Sequence, residues 1–242
     1  PERWKSNMEF KKIVAPTMKD LSVQQLEDKI LSGELKIGTR LPSERVLSAE
    51  MNVSRAVVNS GINDLKQKGF IEILPRQGTF VTDYSKNGNL ETLISLLEYR
   101  GNRLDRSEIR AIIEVRISLE QLASELVIDC ASDEELNELE QTAKTLPHAK
   151  SVQEASEKAF EYHHKLAYLS HNTVLTLIYS SFKDIVISLW VKYCDIYGAD
   201  SLFENIMHLQ SFLRKRDKDG ACTWIRKYLG ESIDGSKQIY DH

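Results

Sequence analysis

Arg55 and Asn59 are the two side chains whose type and spacing most directly suggest recognition chemistry in this 242-residue chain. They stand one helical turn apart in SRAVVNSGINDLKQK, on a different face from Val58, Ile62 and Leu65. A guanidinium in the first turn of a helix can enter a DNA major groove and give paired N–H donors to two acceptors on one guanine edge. Ser54, immediately before it, has the chemistry of an N-cap. Further on, Pro75-Arg76-Gln77-Gly78 is turn chemistry, and Gly78 lets the backbone turn tightly and approach a sugar–phosphate edge. Enzyme constellations are missing from the sequence, which holds no P-loop, HExxH, GxSxG or Gly-rich dinucleotide motif. Cys130, Cys194 and Cys222 lie far apart without CxxC spacing, as reduced structural thiols do.

The elements that must position Arg55 follow from periodicity. Residues 16–31 place Val23, Leu26 and Ile30 on one helical stripe, and Ser32-Gly33 ends it. Gly33, Gly38 and Pro42 then punctuate a short extended stretch, after which Ser43 is the expected cap of a second helix. Asn52-Val53-Ser54 makes a tight turn into a third helix that runs to about Lys68. Beyond Gly69 the pattern turns β-rich, with a strand over 70–74, a turn, and a strand over 79–82. Helix, helix, turn, helix, hairpin is the order of a winged helix-turn-helix domain, expected over 1–83. The polar run DYSKNGN is expected to be a linker, with its boundary at 84–89.

Residues 90–242 show no strand signal, and six or seven amphipathic helices can be drawn through them. One, over 106–129, carries Ile112, Val115, Leu119, Leu122 and Leu126 at alternating spacings of three and four. Others are expected over 133–146, 152–170, 173–197, 201–216 and 218–239. The fold class is therefore mainly α, with a small β-hairpin wing on the first domain and an antiparallel helical bundle as the second. Charge follows the same division. Residues 1–84 carry 13 basic against 11 acidic side chains, and the remainder 19 against 25, so the whole-chain net charge of −4 conceals a mildly positive head on an acidic body. No run of about 18 apolar residues and no secretory leader is visible, so no membrane partner and a cytoplasmic location are expected.

The block ILSGELKIGTRLPSERVLSAEMNVSRAVVNSGINDLKQKGFIEILPRQGTFV resembles the DNA-binding segment of the GntR family of transcription factors, through LPSER, VSR and the glycine-tipped wing. The resemblance implies that Arg45 reaches a base or the backbone, Ser54 a phosphate, and the wing tip Arg76, Gln77, Gly78 and Thr79 the adjacent minor groove. The family commonly has a second arginine where this chain has Asn59. Asparagine pairs best with adenine, so the preferred operator should differ at that position; alternatively Asn59 contacts only a phosphate or water.

The second domain is similar to the helical effector domain of the FadR subfamily, through EVRISLEQLASEL, HHKLAYLSHNTVL and the D...A...I..YL pattern that ends at Leu229. Many members hold a divalent metal through an Asp, a His four residues later and two further His. On that pattern this chain keeps His163 but has Ala159, Ile206 and Tyr228 at the other three positions, with His208 two residues from the third. No metal and no cofactor are therefore expected. The resemblance turns Arg116 toward the cavity, where it could hold a carboxylate or phosphate; the other reading is an internal salt bridge with Glu120. Effector contacts are expected at Arg116, His163, Tyr228 and His208. The implied function is a ligand-responsive regulator that is a homodimer on a palindromic operator in double-stranded DNA, with a small acidic metabolite or acyl-coenzyme A as effector. A metal-anchored carboxylate, or a helical domain that only dimerises, are the alternatives.

Overall fold

The computed structural model describes residues 15–100 and 106–239; the first 14 residues of the expected N-terminal domain lie outside the described residues. The chain divides into two compact units, Pro1–Tyr99 and Arg100–His242.

In the first unit, α1 (Met18–Leu31) opens with a capping box in which the Asp20 N–H donates to Thr17 Oγ1 and the Thr17 N–H to the Asp20 carboxylate. Helices α2 (Glu44–Glu50) and α3 (Arg55–Gln67) follow. Ser54 caps α3 by accepting from the Val57 N–H at 3.3 Å, whereas the Ser43 hydroxyl makes no cap bond on α2. Strands β1 (Ile71–Leu74) and β2 (Gly78–Val81) form the wing hairpin, in register from Ile71 opposite Val81 to Leu74 opposite Gly78. Val23, Leu26, Ile30, Leu47, Val58, Ile62, Leu65, Phe70 and Val81 make one core, so the α3 stripe read from the sequence is the buried one. The extended stretch before α2 runs along β2. Leu41 N–H donates to the Thr79 carbonyl at 2.8 Å and Val81 N–H to that of Thr39 at 3.0 Å.

The expected linker is folded onto this unit. Residues 84–87 form α4 (Tyr84–Asn87), and α5 (Leu90–Arg100) follows at once. The Tyr84 ring packs edge-on against Phe70 at 5.5 Å. Asn89 Nδ2 donates to the Gln67 carbonyl at 2.7 Å, Thr92 Oγ1 donates to that of Lys68, and Lys68 Nζ reaches Glu27 and Ser95. The polar character that reads as linker thus serves the otherwise unpaired carbonyls at the end of α3.

The second unit is all-helical: α6 (Arg106–Cys130), α7 (Asp133–Ala143), a 3-10 turn at Leu146–His148, α8 (Val152–Leu169), α9 (Thr173–Ser181), α10 (Lys183–Tyr197), α11 (Ala199–Arg214) and α12 (Lys218–Glu231). Helix α6 packs on α8 and α12, and α8 on α7 and α10. The single helix expected over 173–197 is two helices bent by 63°. Arg216 Nη1 caps the C-terminus of α6 by donating to the Val127, Ile128 and Ala131 carbonyls at 3.4, 3.2 and 2.7 Å. Among the described residues no single helix is long and apolar enough to cross a membrane.

Helix α6 turns a face to the core that its apolar pattern does not announce. Ile109, Ile113, Arg116, Glu120, Ala123, Ser124, Val127 and Ile128 are buried. The 3-4-3-4 stripe is the outer one: Val115 is 54% and Leu122 40% exposed, and Ile112, Leu119 and Leu126 are half-buried. The inward face carries an ion pair among its apolar residues, and the regular apolar stripe is left partly exposed.

Candidate functional site

The beginning of α2, the beginning of α3 and the wing bound one open groove. Arg40, Glu44, Arg45, Arg55, Gly78 and Thr79 line it, so residues distant in sequence converge on one face. Arg45 and Arg55 are exposed and, among the described residues, neither enters an ion pair. Sequence reasoning missed Arg40. Its side chain lies against the wing, where a Cβ added at Gly78 would come 2.7 Å from Arg40 Nε, at a φ of +125° that side chains rarely adopt. The φ favours glycine here, and a side chain would in addition displace the arginine beside it. The extended pairing of 39–41 with β2 is what brings Arg40 there, and the alternation of residues along that stretch was the available signal.

Arg76 and Gln77 are exposed at the wing tip. Arg76 has φ +63°, and the Gln77 N–H donates to the Leu74 carbonyl at 3.1 Å, closing a turn with Pro75 and Arg76 at its centre. A left-handed non-glycine residue costs about 1–2 kcal/mol. Carrying arginine rather than glycine there is a sign that the charge at the tip has a use.

Asn59 is already engaged. Its Nδ2 donates to Glu44 Oε1 at 3.0 Å and its Oδ1 accepts from Asn63 Nδ2 at 3.2 Å, so it bridges α2 to α3 on an exposed face. Glu44 was not singled out in the sequence, since a 15-residue separation carries no helical signal; Asn63, four residues along α3, was legible from its spacing but was not singled out either.

In the second unit Arg116, Glu120, His163 and Tyr228 form one buried cluster. Arg116 Nε and Nη2 lie 2.8 and 2.7 Å from the same oxygen, Glu120 Oε1, and the Tyr228 hydroxyl donates to Oε2. The salt-bridge reading of Arg116 is therefore the arrangement adopted. Its guanidinium also stacks 4.4 Å from the centre of the Trp190 ring. Burial alone would raise the Glu120 carboxyl, yet the charge of Arg116 and the Tyr228 hydroxyl hold it below its ordinary value. Burial pushes His163 down, so its imidazole is neutral near pH 7. Its Nδ1–H donates to the Ala159 carbonyl at 2.7 Å, leaving Nε2 as a lone pair 3.4 Å from Glu120 Oε1.

A cavity of about 30 Å³ adjoins the cluster, lined by Arg116, Trp190, Tyr193, Asn205, Tyr228 and Ser232 among others. That is space for water-sized guests, and a metabolite requires its walls to move. His208 does not line it. It sits exposed on α11, stacked 4.5 Å from Trp224.

The donor set does not suit a divalent cation. His163 offers one lone pair, Ala159 gives only a carbonyl already taken by that histidine, Ile206 has no donor atom, and the Tyr228 hydroxyl is committed to Glu120. The Arg116 guanidinium supplies the positive charge instead.

Comparisons with known proteins agree with this architecture. Residues 22–81 match the family model described as bacterial regulatory proteins, gntR family, and residues 111–231, half of the chain, match the FCD domain. The uncharacterized HTH-type transcriptional regulator YdhC of Bacillus subtilis is 26% identical over 227 residues, covering 90% of each chain. LutR, an HTH-type transcriptional regulator of the same organism, is 28% identical over 147 residues, 60% of this chain and 65% of its own. The solved structure of Lar, reported to control expression of the Listeria monocytogenes agr system, shares the fold at a TM-score of 0.57 and 14% identity, covering 91% of this chain and 97% of that one. These relatives and both families are transcriptional regulators rather than enzymes. With its first third matched to the family's DNA-binding model and half its length to the FCD domain, the chain belongs to the GntR family of bacterial transcriptional regulators and carries an FCD effector-binding domain.

Proposed function

We propose that this regulator binds a two-fold symmetric operator as a homodimer and that a small acidic metabolite or an acyl-coenzyme A, held in the helical unit, shifts its DNA affinity. The observation that carries the DNA half is the convergence of Arg40, Arg45, Arg55, Gly78 and Thr79 on one groove. Arg55 reads a guanine from the first turn of α3, Arg45 and Ser54 hold the phosphate backbone, and Arg76, Gln77, Gly78 and Thr79 follow the minor groove. The partly exposed stripe of α6 supports the homodimer. Ile112, Val115, Leu119, Leu122 and Leu126 repeat every seven residues in the pattern by which a helix packs against a copy of itself.

Binding-site selection from random DNA tests the operator. The full chain is expected to enrich an inverted repeat whose half-sites are about 34–36 Å apart, and enrichment of a single half-site overturns the dimeric reading. The same selection with Asn59→Ala decides what Asn59 does. If it leaves Glu44 to read adenine, the variant loses that base preference at one position per half-site, by about 1–3 kcal/mol. If it only braces α2 on α3, affinity falls evenly across sequences.

Ligand recognition rests on Arg116 and Tyr228 in the cavity wall, with His163 behind them against Glu120. A thermal-shift screen of organic acids, fatty acids and acyl-coenzyme A thioesters, with and without zinc, is expected to find a stabilising acid whose effect is lost in Arg116→Met and is indifferent to zinc. No hit in the wild-type chain favours a helical unit that only dimerises.

A further inference from the structure

We propose that Glu120 is a built-in occupant of the anion site of the helical unit, a carboxylate from the chain itself that fills the place an external carboxylate would take on Arg116. The inference builds on the acidic-effector reading above, but its test is independent of that reading.

Two groups suited to binding an anion in a dry site meet at one point, the Arg116 guanidinium and the Tyr228 hydroxyl, and the Trp190 face on which the guanidinium lies holds the cation in place. What occupies them is Glu120, whose side chain is fully buried and four residues along the same helix. The pair is imperfect for a geometric reason. An arginine and a carboxylate make two parallel bonds when each nitrogen has its own oxygen. Here Nε and Nη2 share Oε1, because Oε2 is held by Tyr228 and the helix fixes where the carboxylate can sit. Nη2 is left without an aligned hydrogen bond although it is buried, and His163 Nε2 likewise has no hydrogen-bond partner. A buried guanidinium N–H that meets its oxygen out of line is poorly satisfied, so Arg116 Nη2 holds unused capacity for an oxygen that arrives from elsewhere, whereas the His163 Nε2 lone pair can take only a donor.

The small cavity gives that oxygen a route. It is walled by Arg116 and Tyr228, the two residues that hold Glu120, together with Asn205 and Ser232. An acid entering there would compete with Glu120 for the guanidinium fork, and Glu120 would keep Tyr228. The wild-type chain therefore discriminates against small acids that have no further contacts to offer. Only a ligand with additional contacts to the helical unit can displace the internal carboxylate, since a ligand shifts an equilibrium only by its differential affinity.

Chemical rescue tests this in the full chain. Glu120→Ala should melt well below the wild type, and sodium acetate should raise its Tm saturably, by about 5 °C, while acetamide and equimolar sodium chloride do nothing. The wild type should not respond to acetate. If Glu120→Ala is recovered unfolded, refolding in acetate against refolding in acetamide replaces the melt, and only acetate is expected to yield folded protein by circular dichroism. Equal behaviour of the variant in acetate and acetamide, or equal stabilisation of wild type and variant by acetate, overturns the proposal. Acetate rescue in the variant combined with an acid screen that finds nothing for the wild type sustains the internal occupant and rejects the acidic effector. The reverse combination rejects the internal occupant alone.

Discussion

Replacing Arg55 by alanine is expected to lower affinity for the selected operator by about 10²–10⁴-fold and to leave Tm and helix content where they are. The magnitude follows from the contact. A bidentate arginine–guanine pair discriminates by about 1–3 kcal/mol, and a two-fold symmetric complex makes it twice. Stability is spared because Arg55 is exposed and, among the described residues, has no ion-pair partner in the free protein. The loss should therefore be a loss of sequence preference, visible as convergence of specific and non-specific affinity at one salt concentration. Arg45→Ala should weaken both together and flatten the salt dependence, as the removal of a phosphate contact does. Unchanged operator affinity in Arg55→Ala would mean that α3 does not read the major groove through its first turn. The groove lined by α2, α3 and the wing would then need another explanation.

The DNA-binding unit was legible because its determinants are local. Val58, Ile62 and Leu65 fix which side of α3 faces the core, and Arg55 is exposed as a consequence. Gly78 announces the turn, although the reason for glycine there includes Arg40, which a sequence places 38 residues away. The chain after the wing was harder to read. Asn89 looks like a linker residue because it is polar, but with Thr92 it serves the carbonyls at the end of α3, and only tertiary contact distinguishes the two roles. Helix α6 shows the same limit in its periodicity. A helical stripe reveals that a face is apolar, without revealing whether the partner is the chain's own core or another surface. The stripe of Ile112, Val115, Leu119, Leu122 and Leu126 is partly exposed, most at Val115 and Leu122, while the face that enters the core carries Arg116 and Glu120 beside its apolar residues. Charged residues on the buried face are what misdirects such a reading, and they are also what gives the helical unit its distinctive chemistry. The Arg116–Glu120 pair was readable from the i, i+4 spacing; Tyr228 and His163 join it only through the packing of α12 and α8 on α6.

The partly exposed stripe makes the second large prediction, that Leu119→Glu combined with Leu122→Glu turns the protein into a monomer and reduces operator affinity by about 10²–10⁴-fold. In a two-fold pair of α6 helices each stripe meets its own copy, so the two substitutions place four carboxylates in one apolar seam. Like charges cannot be desolvated there without partners. The monomer itself should tolerate the changes, because Leu122 is 40% exposed and Leu119 half-buried, so far-ultraviolet circular dichroism should be preserved. Loss of affinity follows from losing the linked second half-site, since the second recognition helix is then no longer held at high effective concentration. Analytical ultracentrifugation reads the first effect and operator titration the second. Val115→Glu alone, at the most exposed position of the stripe, should give an intermediate dissociation constant. A double variant that still sediments as a dimer shows that α6 is not the seam, and a dimer that survives with full operator affinity requires two-fold contacts made elsewhere on the molecule. The position of the seam also bears on signalling. Arg116 and Glu120 lie on the buried face of the same helix whose outer face is the proposed seam. If α6 is the seam, a ligand that breaks that ion pair acts on the element by which two copies would be joined.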